Sequence, residues 1–496
     1  MRTVPGPTSS VIVVGAGLGG LSAALHLAGA GRNVTVVERE AIVGGRCGLL
    51  RDHGYLFDTG PAVLTMPELM AETFAAVGEQ MSDWLTLTRL DPAYRARFAD
   101  GSTIGVHADV DAMTEEITAT CGAHDAAAYR RYVAWLRRLY DVQMPNFIGR
   151  NLDTPLSLLS PALARLALLG GFGRLGRRVA RTFGDERLQR LFSFQAMYAG
   201  LAPSEALALY AVISYMDCVG GVYFPAGGMH ALPQALAAAA TAHGVTFRLG
   251  TDVQRIEVSG GRARAVLTAD GERIPADVVV VNADLPTAYE RLLAPGYRPR
   301  RVSRLRYSPS AVLLLAGSRQ AYPGLTHHTI DFGAGWHDTF DEIIGRGEPM
   351  SDPSLFLTNA TRTDSSLAPT GRQTYAVLFP TPNLDHRRPI DWTADGKRYR
   401  DHMVQTMERR GYHGFGDSIE TEHLITPADW QAQGIAAGAP FAAAHTFGQT
   451  GPFRAPTLDR TVQNLVFCGS NTQPGVGVPM VLISGRLAAE RVVGRS

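Results

Sequence analysis

Residues 11–14, Val-Ile-Val-Val, run directly into Gly15-Ala16-Gly17-Leu18-Gly19-Gly20, and residues 21–28 that follow have the composition and spacing of a helix. A second apolar stretch, residues 34–37, ends at Glu38, about twenty residues after the glycines. Strand, glycine turn, helix, strand and terminal acid make up a βαβ unit of the dinucleotide-binding kind, and a chain built on it is committed to a parallel sheet. Gly15 makes the tight turn, Gly17 admits a pyrophosphate to the backbone N–H groups, and Gly20 lets the helix lie against the strand. The helix N-terminus stabilises the phosphate charge. Glu38 can accept from a ribose 2′-hydroxyl and would repel a 2′-phosphate, which argues against NADP.

Gly44-Gly45-Arg46 and Phe57-Asp58-Thr59-Gly60-Pro61 come next and suit backbone packed against a cofactor, with Arg46 placed to reach a phosphate. There is no second GxGxxG and no CxxC, unlike enzymes that pass electrons from NAD(P)H through a flavin to a disulfide. Residues 464–468 read as a buried strand, 469–479 as a glycine-proline loop, and 480–493 as a helix whose N-terminus would face an anion such as a reduced flavin. GxSxG and HExxH are absent, and the adjacent His327 and His328 should point to opposite faces of a strand, so no metal centre is expected.

At 496 residues the chain has length for two to four domains of about 150 residues. Lysine plus arginine against aspartate plus glutamate is 47 − 46 = +1, which excludes a uniformly basic nucleic-acid binder. Charged residues make up 19%, below the roughly 25% of an ordinary chain, while hydrophobic residues reach 45%. Cys47, Cys121, Cys218 and Cys468 lie far apart, which excludes a disulfide framework and points to a reducing compartment. Residues 1–10 lack the features of a secretory leader, and no stretch reaches the roughly 20 apolar residues of a membrane span, so a cytoplasmic protein is expected.

Together these segments resemble the FAD-dependent amine-oxidase-like superfamily, and within it the bacterial-type phytoene desaturases of carotenoid synthesis. The resemblance continues through Leu191-Phe192-Ser193-Phe194, Gly221-Val222-Tyr223-Phe224-Pro225-Ala226-Gly227-Gly228-Met229, Ala283-Asp284 and Thr363-Asp364-Ser365-Ser366-Leu367-Ala368-Pro369, so that it spans nearly the whole chain. It implies an α/β fold: a Rossmann-like FAD-binding domain of the glutathione-reductase and amine-oxidase type, interleaved with an α+β substrate domain. The cofactor domain would comprise residues 8–100, 221–300 and 455–496. Residues 101–220 would form a mainly helical insertion facing substrate and membrane, and 301–454 the substrate domain. The same resemblance implies FAD held by Gly15, Ala16, Gly17, Gly19, Gly20, Glu38, Arg39, Gly44, Gly45, Arg46, Gly60, Pro61, Val253, Gly469, Val478, Pro479 and Met480. The family's loop commonly reads HPGxGxPG, whereas this chain carries Gln473 for the histidine and Met480 for the last glycine.

The activity implied is FAD-dependent desaturation of phytoene, by stepwise loss of hydride and proton, towards neurosporene or lycopene. Oxygen or a quinone would be the electron acceptor. A hydrocarbon substrate calls for an apolar tunnel, with Phe192, Phe194, Tyr198, Phe224 and Pro225 as candidate walls. No catalytic acid or base is assigned; Asp217, Asp331 and Asp364 are available carboxylates but read as surface or turn residues. Between Thr154 and Gly173 the only charge is Arg165, and Arg174, Arg177, Arg178 and Arg181 follow, a pattern that suits a helix lying peripherally on an anionic membrane surface. A flavin amine oxidase, another carotenoid desaturase or isomerase, and a binding-only escort protein share the expected fold and stand as alternatives.

Overall fold

In a computed structural model, described here over residues 1–494, a five-stranded parallel sheet takes its strands in the order Leu465–Phe467, Val278–Val281, Ser10–Val14, Asn33–Val37 and Thr246–Arg248. Val13 sits beside Val280, and Val280 beside Val466, all of them fully buried. Strands covered on both faces read as uninterrupted valine runs for this reason. One face carries the helices Leu18–Gly29 and Val478–Val493, which pack so closely that a Cβ on Gly485 would collide with the carbonyl of Gly19. Ser22 Oγ donates to Leu482 O across the contact at 2.8 Å. The other face is covered by an antiparallel meander of Val253–Ser259, Arg262–Thr268 and Arg273–Pro275, and by the helix Leu285–Arg291.

A second sheet, of seven strands, runs in the order Ile419–Ile425, Ser310–Ser318, Gln373–Thr381, Leu355–Thr358, His328–Asp331, Tyr94–Arg97 and Thr103–Val106. Its pairs are antiparallel except that of Tyr94–Arg97 with His328–Asp331. The boundary expected at residue 100 therefore falls in the turn of a hairpin that belongs wholly to this sheet. The segment expected to begin at 221 first forms Tyr223–Pro225, which pairs with Leu87–Arg89 in a separate ribbon. Short alternating strands carry no local mark of which sheet they will join.

Residues 110–218 form a helical cap whose core is aromatic: the Phe192 ring lies 5.1 Å from Phe183, 5.6 Å from Tyr129 and 5.4 Å from Tyr132. The apolar stretch from Thr154 to Gly173 is not one interfacial helix. Pro155 and Pro161 each start a new element, the 3₁₀ turn Pro155–Leu158 and the helix Pro161–Leu168, because proline fits the first turn of a helix and no later one.

Candidate functional site

The glycine turn has the conformation its sequence demands. Gly15 has φ 100°, and its N–H donates to Val37 O at 2.8 Å. A Cβ on Gly20 would strike the carbonyl of Gly15, and one on Gly17 would lie 2.8 Å from Asn282 Nδ2. Glu38 is 7% exposed; its Oε2 accepts from Ala16 N at 2.6 Å and its Oε1 from Glu40 N at 3.0 Å. The carboxylate thus braces the turn and, with about four acceptor sites on two oxygens, retains capacity for a ribose hydroxyl.

Gly44 N donates to Ala16 O at 2.9 Å, docking the second glycine segment onto the first. Arg46 leaves that segment and donates to Ser470 Oγ at 2.6 Å, to Pro440 O at 3.2 Å and to Asp284 Oδ1 at 2.8 Å. Asp284 also accepts from Asn471 Nδ2 at 2.8 Å, so one buried carboxylate fixes Arg46 and the C-terminal loop together. Arg39 is exposed at the opposite end, donating to Gln433 O at 2.6 Å. At Gly60 a Cβ would meet the carbonyl of Arg46, which accounts for glycine there. Asp58 accepts from Met229 N at 2.8 Å and His230 N at 3.0 Å; burial lifts its carboxyl to about 6 against the pull of those two amides.

Gly15, Gly17, Gly19, Glu38, Arg39, Gly44, Gly45, Arg46, Gly60 and Pro61 line one cavity of about 1290 Å³, joined there by Val253, Gly469, Val478, Pro479 and Met480, whereas Ala16 and Gly20 lie beneath the turn. That volume exceeds the roughly 300–1,000 Å³ of a pocket for one drug-sized molecule. The glycine turn, the buried Glu38 and a sixteen-residue helix whose N-terminus faces the cavity fit a flavin dinucleotide stretched across the end of the sheet. Gln473 lies in the cavity wall, but its amide is taken up by the chain: its Oε1 accepts from Leu152 N at 3.0 Å and its Nε2 donates to Leu152 O at 2.9 Å and Gly451 O at 3.2 Å, tying the loop to the helical cap. Met480 packs in a small cluster with Met66, Val212 and Met216.

Beyond the sheet the same cavity becomes apolar, with Phe194, Tyr198 and Phe224 in its wall beside Ile330 and Phe332. Phe192 is buried in the aromatic core of the cap and Pro225 in the ribbon with Leu87, so neither lines the cavity. Two of the three carboxylates are not surface or turn residues. Asp217 is 2% exposed on the helix Val212–Cys218; its Oδ2 accepts from Tyr94 Oη at 3.4 Å, its Oδ1 has no partner, and burial lifts its carboxyl to about 7. Asp331 is buried in an ion pair with Arg410 at 3.2 Å and another with Arg97 at 3.5 Å. Asp364 is the expected turn residue, capping Ser365–Leu367 through Ser366 N at 3.0 Å.

Sequence reasoning missed Asn282, Arg454 and His445. Asn282 follows the buried valine strand, and its side chain fills the space between the glycines of both loops. Only the register of that strand beside Ser10–Val14 places it there. Arg454 and His445 come from irregular chain that carries no periodic signal.

A family model described as flavin containing amine oxidoreductase matches residues 18–493. The chain belongs to this family of flavin-dependent oxidoreductases. It is 57% identical over 495 residues to a phytoene dehydrogenase of Streptomyces griseus, covering 100% of this chain and 97% of that one. To the zeta-carotene-forming phytoene desaturase of Myxococcus xanthus it is 40% identical over 491 residues, 97% of this chain and 93% of the relative. Within the family the chain thus stands among the phytoene desaturases. In fold it is similar to an oxidoreductase from Methanosarcina mazei, with TM-score 0.64 at 16% identity over 96% of this chain and 99% of the other. A putrescine oxidase variant superposes with TM-score 0.63 at 15% identity, over 98% and 99% of the two chains.

Proposed function

We propose that this protein desaturates phytoene, removing a hydride and a proton from neighbouring carbons and so lengthening the polyene towards neurosporene or lycopene. The observation that carries this reading is the continuity of one cavity from the glycine turn and Glu38 to the walls formed by Phe194, Tyr198 and Phe224. A bound flavin supplies a two-electron hydride acceptor. In this reading Gly15, Gly17 and Gly19 receive the pyrophosphate, Glu38 and Val253 meet the adenosine half, and Gly469 with residues 478–480 meets the flavin half. Ala16 and Gly20 shape the turn from below. The apolar walls exclude water and hold a long hydrocarbon by area alone, leaving it free to slide between successive rounds.

Peripheral membrane docking belongs to the same proposal. Leu156, Leu159, Leu168 and Phe447 are 72%, 75%, 88% and 63% exposed, and Phe172 and Phe453 at the cavity rim stand out with them. Arg174, Arg177, Arg178 and Arg181 beside them are exposed too. Among the described residues no helix is long and apolar enough to cross a membrane. An apolar rim with flanking arginines suits entry of a lipid-dissolved substrate from an anionic leaflet, with a membrane quinone or oxygen taking the electrons afterwards. Protein, FAD, anionic liposomes and phytoene are incubated together and the extracted products read by absorption. Bands moving to the red with time support the reading. Unchanged phytoene, or hydrogen peroxide formed from amines instead, overturns it.

A further inference from the structure

His445 stands in the wall of the cavity, on the irregular segment between Phe441 and Thr450. Its main chain is pinned from several sides. His445 N donates to Ala199 O at 2.8 Å, and Ala443 N donates to Asn471 Oδ1 at 2.8 Å. The buried guanidinium of Arg454 bridges this segment to the C-terminal loop, donating to Ala443 O at 3.2 Å on one side and to Thr472 O at 3.0 Å and Ser470 O on the other. The imidazole is thereby laid against Gly475, where a Cβ would fall 2.8 Å from Nε2, and edge-on to the Tyr210 ring at 5.5 Å.

Amid this anchoring, neither imidazole nitrogen has a hydrogen-bond partner among the described residues. Tyr210 Oη is no partner, being engaged by Thr450 Oγ1 at 2.5 Å. A polar ring held firmly yet left unpaired in an apolar wall is the arrangement of a group reserved for a ligand. Burial and the charge on Arg454 hold the imidazole neutral, with a lone pair available. Of the carboxylates along the cavity, Glu38 and Asp58 accept from backbone amides and Asp284 accepts from Arg46, while Asp217, its Oδ1 without a partner, stands in the same wall on the helix Val212–Cys218.

We infer that His445 accepts the proton in each desaturation, a role that rests on the phytoene reading above. One C–H bond breaks with its electron pair, and the hydride leaves to the flavin. The C–H bond on the neighbouring carbon then breaks, its electrons form the new C=C bond, and the proton goes to the free imidazole nitrogen. Because a proton beside an allylic cation is strongly acidic, a weak base suffices, and one that cannot hold its proton tightly is ready for the next round.

Wild type and His445→Gln are compared in single turnovers with phytoene, alongside FAD content and far-UV circular dichroism. The expected result is at least a 100-fold slower turnover at unchanged FAD content, in the range of lost general acid–base catalysis, with partial rescue by added imidazole. A variant within threefold of wild type overturns the inference alone; a wild type that leaves phytoene unchanged overturns the functional reading and the inference with it. Should the variant not fold, wild type is treated with diethyl pyrocarbonate and mapped by mass spectrometry. Modification of His445 that squalene blocks supports the role, and absence of modification or of protection overturns it.

Discussion

Replacing Asp217 by asparagine should stabilise the protein at neutral and alkaline pH and do little in acid. The carboxyl is 2% exposed and lifted from 3.8 to about 7, chiefly by burial. A shift of three units at about 1.4 kcal/mol each corresponds to roughly 4 kcal/mol against folding once the group is ionised in both states. The sign follows from the proton count. Between pH 3.8 and about 7 the folded state holds a proton that the unfolded state has lost, so stability falls as pH rises across that window and the loss is complete above it. Asparagine removes the titration, and its amide can donate to the Gln195 Oε1 that lacks a partner. Urea denaturation of both proteins at half-unit steps from pH 4.5 to 8.5 gives the difference in unfolding free energy. It should climb by about 1.4 kcal/mol per pH unit and level off above pH 7. A difference that is flat across the range would refute a buried, proton-retaining Asp217.

Glu38→Ala removes the acceptor that braces Ala16 and Glu40 and should weaken FAD binding by about 10- to 100-fold, read by flavin fluorescence titration, since hydrogen bonds to a charged group contribute about 1.5–3 kcal/mol. Gly20→Val should yield protein without flavin, because its side chain must enter the space of the Gly15 carbonyl; yellow protein with wild-type FAD content would contradict this. Arg454→Met strands the carbonyls of Ala443, Ser470 and Thr472 and should lower stability by about 3–5 kcal/mol in urea denaturation, with Arg454→Lys in between. Changing Leu156, Leu159, Leu168 and Phe447 together to serine should reduce co-sedimentation with anionic liposomes severalfold and leave FAD content intact.

The cofactor half of the molecule was legible because its signals are local. A valine strand, a glycine turn and a terminal acid within thirty residues can only pack one way, and the C-terminal strand and loop carry the same kind of mark. The substrate half was not, because its neighbours meet across long stretches of sequence. Nothing near Tyr94 announces a parallel partner at His328, and nothing near His445 announces Gly475. Asp217 illustrates the same limit. The glycines at 220 and 221 suggest a turn, whereas the helix Val212–Cys218 belongs to the cap and carries the acid into the interior. Phe192 and Phe194, two residues apart in one aromatic stretch, divide between core and cavity wall because the helix Glu186–Leu191 ends between its last residue and the 3₁₀ turn Phe194–Ala199.

The strand order of the parallel sheet also governs how the protein can be made. Its central strand is complete at residue 14, its neighbour Val278–Val281 only at residue 281, and its far edge at residue 467. At roughly 5–20 residues per second a ribosome takes on the order of half a minute to a minute and a half between the first strand and the last. Throughout that interval an apolar strand edge and the sliding face for the helix Val478–Val493 stay uncovered. The parallel sheet cannot close until Leu465–Phe467 has been made, so the protein's yield in a cell depends on what shields a nascent chain from its neighbours as well as on the finished fold.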